Sequence, residues 1–180
     1  MDNGASSYRR YLNGDPEAFD LIVKEYFDPL VLFLNRYTHS PEASEEIALD
    51  VFAWVDVHKG RYNFSVSLKT FLYMLGRSRA LSWLRKKRPP TVALSEVADL
   101  PSPEPTPEEA LLRQERHRAL HQALASLPEP QQTALHLVYF EALTPEEAAV
   151  VLKKTRKQVY NLLYRGKLAL RTFLGKDGIL

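Results

Sequence analysis

The apolar positions of this chain recur at helical spacing in several blocks, separated by stretches with no period. Phe19, Ile22, Val23, Tyr26 and Phe27 stand three or four residues apart, as on one face of a helix. Asp15, Pro16 and Glu17 precede them, and Pro at a first helical position has no N–H to leave unpaired. The run from Leu30 to Tyr37 is almost wholly apolar and predicts a second, buried helix. Ser40, Pro41 and Glu42 open a third by the same cap logic, with Ile47, Val51, Trp54 and Val55 on one face. Residues 58–67 are rich in Gly, Asn, Ser and basic residues and predict a loop. A fourth helix runs from about Leu68 to Lys87 and stops before Pro89.

Six of the 12 prolines lie between Pro89 and Pro107, in a stretch without helical or strand period. It predicts an extended, semi-rigid linker. Beyond it, residues 108–126 form a helix with Leu111, Leu112, Leu120 and Leu124 on its apolar side, broken by Pro128 and Pro130. Residues 131–141 form the next. Thr144 as N-cap, Pro145 and the acids Glu146 and Glu147 suit a helix start, and that helix ends near Leu152. Thr155 caps the last helix, which runs to about Phe173. Strand signals are weak throughout. The expected fold is all-α, with two small helical domains, residues 1–88 and 108–180, joined by the Pro-rich linker 89–107.

Composition removes several functions. The chain has no Cys, so disulfides, thiolate catalysis and Cys-based zinc sites are excluded. No apolar run reaches the roughly 18 residues of a membrane span. The first residues, MDNGASS, lack the basic and apolar regions of a signal peptide. The expectation is a soluble cytoplasmic protein. There is no Gly-rich phosphate loop, and no enzyme activity, cofactor or metal is expected. His117 and His121 stand four residues apart, but no third ligand is near, so chance spacing explains them.

The net charge of +2 conceals a pattern. Residues 1–66 carry −5, residues 67–90 carry +7 with no acid, residues 91–143 carry −5, and residues 144–180 carry +5. Two separated basic segments suggest two contacts with a polyanion, of which nucleic acid is the usual one. The bland alternative is two solvated helix faces.

The second basic segment, TPEEAAVVLKKTRKQVYNLLYRGKLALRTFL, has the build of a helix-turn-helix. Ala149 is small where two helices would cross closely. Leu152, Val159, Leu162 and Leu163 would face a core. Left outside are Arg156, Lys157, Tyr160, Asn161, Tyr164, Arg165 and Lys167, side chains that can reach base edges and phosphates. The turn often uses Gly, which tolerates positive φ, whereas this chain has Lys153, at a cost below about 1 kcal/mol. The first basic segment, SLKTFLYMLGRSRALSWLRKKR, interleaves Phe71, Tyr73 and Trp83 with cations, a combination that can hold unstacked bases. Phe71 fits a core better; Trp83 fits either role. Arg85, Lys86, Lys87 and Arg88 suit phosphate, without reading sequence.

These segments, in this order, resemble the extracytoplasmic-function (ECF) group of bacterial RNA polymerase sigma factors, from about Asp15 to Phe173. SPEASEEIALDVFAWV looks like the family's polymerase-binding helix, the basic helix like its −10 helix, and the segment from ALASLPEPQQ to RTFL like its −35 domain. The resemblance implies a transcription initiation factor that binds core polymerase and promoter DNA. It also implies an anti-sigma partner that would wedge between the domains. By the same resemblance, Glu46, Ile47, Asp50 and Val51 would face the polymerase clamp. Arg61, Tyr62 and Asn63 would lie in the loop that captures a flipped −10 base, with Arg77 and Ser78 near it. Arg156, Lys157, Tyr160, Asn161, Tyr164 and Arg165 would serve the −35 element. Leu49, Met74, Ser78, Gln158 and Tyr160 depart from the family's usual Gln, Arg, Asn, Thr and basic residue.

Two other functions compete. One is a polymerase-independent regulator using the helix-turn-helix alone, with the N-terminal part as a sensor. The other is a helical interaction protein without nucleic acid. The acidic third and basic fourth helices favour the initiation factor over the sensor, and the two basic segments argue against the interaction protein.

Overall fold

The structure, a computed structural model, describes residues 4–87, 119–120 and 122–176. The Pro-rich linker 89–107, most of the expected helix 108–126, Arg88, His117 and His121 lie outside the described residues. The described elements are helices, and no strand occurs among them. One compact unit takes in residues 4–87 and 146–153; the other takes in residues 119–145 and 154–176.

The first unit is built on α2 (Glu17–Thr38), against which α1 (Ala5–Leu12), α3 (Pro41–Val57) and α4 (Leu68–Lys87) pack. The sequence divides α2 into two helices, but it is continuous through Pro29. The reason is its apolar stripe. Ile22, Tyr26, Leu30, Phe33, Leu34 and Tyr37 are all buried at helical spacing on both sides of the proline. Burying each of these side chains contributes about 1.5–3 kcal/mol, which offsets the hydrogen bond lost at Pro29. The helix ends where His39 turns left-handed, with φ 49°. Ser40 then caps α3, its Oγ accepting from the Ala43 N–H at 3.3 Å.

The fourth helix starts on Ser67, whose Oγ accepts from the Thr70 N–H at 3.2 Å. Leu68, Leu72, Tyr73 and Ala80 are fully buried. Gly76 sits where α4 meets α2: a Cβ there would stand 3.0 Å from Leu30 Cδ1 and 3.2 Å from Leu34 Cδ2. The missing side chain is therefore a packing requirement. The helix of residues 145–152 contributes Glu147 to this unit. Its carboxylate accepts from Ser67 Oγ at 2.7 Å and from Thr70 Oγ1 at 3.1 Å.

The second unit packs α5 (Glu129–Leu135) against α7 (Arg156–Lys176); α6 (Pro145–Leu152) lies between them in the chain. Buried Ala134, Leu135, Leu137, Leu143, Val159 and Leu163 form its core. Gly166 repeats the device of Gly76, since a Cβ there would stand 2.9 Å from Leu135 Cδ1. After α5 the helix widens into a π turn over His136–Phe140, closed by the Glu141 N–H on the His136 carbonyl at 3.1 Å. His136 Nε2 and Glu141 Oε1 meet at 3.1 Å within the turn.

The close contact at Gly76 yields a prediction. Gly76→Val adds three carbons where even the first would crowd Leu30 and Leu34, and overpacking of that kind costs about 1–3 kcal/mol. The melting temperature of the first unit, followed by circular dichroism, should fall by roughly 4–8 °C per kcal/mol. An unchanged melting temperature would show that α2 and α4 can separate freely.

Candidate nucleic-acid interface

The strongest site is the outer face of α7, and local chemistry sets where it begins. After α6, Lys153 adopts φ 53°, the left-handed conformation expected at the turn, and its N–H bonds to the Val150 carbonyl at 3.2 Å. Thr155 and Gln158 then close a reciprocal cap. The Thr155 N–H donates to Gln158 Oε1 at 2.8 Å, and Gln158 N–H donates to Thr155 Oγ1 at 3.3 Å. Val159, Leu163 and Gly166 turn inward, as expected for the first two, while Leu162 is half-buried. Their burial leaves Arg156, Lys157, Tyr160, Asn161, Tyr164 and Arg165 exposed, with Tyr164 68% accessible. The Arg156 guanidinium lies over the Tyr160 ring at 5.5 Å, and Lys167 Nζ over Tyr139 at 4.8 Å. No acid occurs anywhere in α7.

The second face belongs to α4, which also carries no acid. Arg85, Lys86 and Lys87 are exposed at its end, and Lys87 Nζ sits 4.4 Å from the half-buried Trp83 ring. Ser78 is exposed. Arg77 is half-buried, its Nε donating to the Tyr37 hydroxyl at 3.2 Å. Phe71, expected in the core, is half-buried and packs between Trp54 and Tyr62. A stacked arrangement lies beside it: Trp54 against His58 at 4.5 Å, with the Arg79 guanidinium 5.5 Å from the Trp54 ring. Burial holds the Arg79 group below its ordinary range, against the attraction of Asp50.

The loop before α4 changes one expectation. Arg61 and Asn63 are exposed, but Tyr62 is buried. Its hydroxyl donates to the Val66 carbonyl at 2.7 Å and its ring packs on Tyr8, Phe64 and Phe71. Tyr62 therefore supports the loop from inside and offers no face to a base. The acidic helix α3 needs a similar correction. Glu46 and Asp50 are exposed, but Ile47 and Val51 are core residues, since they fall on the stripe that meets α2. The exposed strip of α3 is instead Glu45, Glu46, Leu49 and Asp50.

Sequence reasoning missed α1. Its Tyr8 is fully buried and donates to the Lys59 carbonyl at 2.9 Å; Tyr11 hydrogen-bonds Asp56. The signal was present in SSYRRYL, where Tyr8, Tyr11 and Leu12 keep helical spacing, but eight residues give too short a period to stand out. Among the described residues no cluster of three His, Asp or Glu could hold a metal ion, and no helix is long and apolar enough to cross a membrane.

Residues 117–170 match the family Sigma-70, region 4. The RNA polymerase sigma-H factor of Pseudomonas aeruginosa is 29% identical over 174 residues, covering 89% of this chain and 88% of its own. The ECF RNA polymerase sigma factor SigW of Bacillus subtilis is 26% identical, covering 88% and 89%. Along most of its length the chain is similar to ECF RNA polymerase sigma factors, and these likenesses support sigma-factor function. The fold of this sigma factor is shared with RpoE of Bartonella quintana, solved with the anti-sigma factor NepR, at a TM-score of 0.66, 17% identity and coverage of 88% and 98%. It is shared too with CnrH, solved with the cytosolic domain of CnrY, at 0.63, 16% identity and coverage of 97% and 96%. The likeness to relatives spans the N-terminal and C-terminal parts alike, so the polymerase-independent regulator with an unrelated sensor is set aside.

Burial raises the Tyr8 phenol from 10.0 to about 12, with further contributions from Tyr11 and Asp56. The unfolded chain thus loses this proton first as pH rises past 10. The contribution is intact below pH 10 and is lost between 10 and about 12. Urea unfolding across that window should show stability falling in the sigma factor and a shallower fall in Tyr8→Phe. Equal slopes would mean Tyr8 is solvated.

Proposed function

We propose that this sigma factor binds core RNA polymerase through the exposed acidic strip of α3 and contacts promoter DNA through two basic helices. The outer face of α7 reads the −35 element in a major groove. The observation that carries this reading is the acid-free strip from Arg156 to Arg165, outward-facing because Val159, Leu163 and Gly166 are packed inward. Arg165 and Asn161 are the types that make bidentate contacts to guanine and adenine; Arg156 and Lys157, near the helix start, suit phosphate. On the other unit, Arg85, Lys86 and Lys87 take the phosphates of the −10 region, and Arg61, Asn63 and Ser78 lie on the surface available to an unstacked base. Related chains solved with an anti-sigma factor support a protein partner that holds the sigma factor from polymerase.

Run-off transcription from a genomic promoter library, with core polymerase and with or without the sigma factor, tests the reading. New start sites should appear only when it is present. Arg165→Ala should weaken them by about tenfold, within the 1–3 kcal/mol of a base contact. Lys157→Ala should weaken all promoters alike and lower the salt dependence of binding by about one unit of slope. If no start sites appear but the chain alone shifts duplex DNA, the polymerase role is wrong.

A further inference from the structure

The loop of residues 58–67 has two sides. Outward it carries Arg61, Asn63 and Ser65; inward it carries Tyr62, with Phe64 and Val66 half-buried. The inner side is gripped by α1 from far away in sequence. The Tyr8 hydroxyl donates to the Lys59 carbonyl, and its ring stands edge-on to Tyr62 at 5.1 Å and 90°. Tyr8 meets Phe64 at 6.1 Å, and the Arg9 guanidinium lies over the other ring of that pair, Phe64, at 4.9 Å. Tyr11 holds the flank, through the bond to Asp56 and with Lys59 Nζ 4.3 Å from its ring.

The loop so held contains one residue in a strained backbone conformation. Phe64 has φ 60°, which is costly for a bulky side chain and persists only where the surroundings over-determine it. The Tyr62 hydroxyl ties the loop to Val66, and the Ser65 N–H donates to Asn63 Oδ1 at 3.1 Å, which orients the Asn63 amide. Segments fixed before binding do not have to be ordered by the ligand, so more of the contact energy remains to separate right from wrong ligands.

We infer that α1 is a brace that presets this loop, and that Tyr8 is a positioning residue for recognition of an unstacked DNA base by Arg61 and Asn63. Base preference at the melted end of the promoter then depends on a side chain that never touches DNA. The inference rests on the reading that this loop holds the base. The bland alternative is that α1 only completes the core of the first unit. It differs in what a conservative change does, because Tyr8→Phe keeps the ring and its burial and removes only the bond to Lys59.

The test uses holoenzyme reconstituted from core polymerase and the full chain. Forked promoter fragments from the mapped start sites, with each of the four bases at the unpaired −10 positions, compete for binding. For Tyr8→Phe the ratio between the best and worst base should shrink by about fivefold, the scale of one hydrogen bond. Affinity for core polymerase and for a −35 duplex should stay within about twofold, well under that same scale. Tyr11→Phe reads the same ratio from the other flank and replaces Tyr8→Phe if that variant does not assemble. An unchanged ratio, or an equal loss for all four bases, overturns the brace. The Arg61→Ala, Asn63→Ala double variant separates the two levels. If it loses the preference while Tyr8→Phe keeps it, only the role of α1 fails; if it keeps the preference, the base-holding reading fails and the inference with it.

Discussion

The contact of α4 with α2 at Gly76 orders the first unit. Leu68, Leu72, Tyr73 and Ala80 are buried, so the rotation of α4 about its axis is fixed by the side chains it must hide. Gly76 lets the helices approach until Leu30 and Leu34 fill the space a side chain would take. Once that rotation is set, the cations have no freedom of placement. Arg85, Lys86 and Lys87 stand in water, while Arg77 and Arg79, nearer the core, lie against Tyr37 and Trp54. The second unit applies the same rule at Gly166, where contact with Leu135 fixes which side of α7 carries Tyr160, Tyr164 and Arg165 outward. In both units the proposed contact face is what remains after close packing has chosen its opposite.

Much of this was legible in the sequence, and for physical reasons. The caps at Ser40 and Thr155, and the stretches of helical period from Pro41 to Val57, Leu68 to Lys87 and Pro145 to Leu152, are local signals that tertiary packing had no cause to override. The exposed residues of α7 followed from its period alone. Two of the failures come from contact across long sequence separation. The periods up to Phe27 and from Leu30 predict two helices, yet one buried stripe runs through Pro29 between them. The family resemblance implies a base-capturing loop that includes Tyr62, and only Tyr8, 54 positions earlier, shows which way that ring faces. Ile47 and Val51 were read as partner contacts beside Glu46 and Asp50, although a helix facing a core must divide neighbours between its two sides.

The charge pattern gains meaning from the same division. The acids of α3 fall on its exposed side at Glu45, Glu46 and Asp50, and α4 and α7 hold none. A face of one sign attracts a polyanion over roughly a Debye length, about 8–10 Å at physiological salt, before any contact forms. On the proposed reading, encounter is governed by segments of like charge, while discrimination falls to Arg165 and the few uncharged groups beside it, the amide of Asn161 and the phenols of Tyr160 and Tyr164.

The reciprocal cap at the start of α7 has a further consequence. Glutamine is one of two side chains that can grip both hydrogen-bonding atoms of an adenine edge, and it needs its amide oxygen and nitrogen together to do so. In Gln158 the oxygen is already engaged by the Thr155 N–H. The third residue of the helix is thereby held back toward the backbone by the cap, and on the proposed reading the sequence information carried by this helix begins at Tyr160 and Asn161, two and three positions further on.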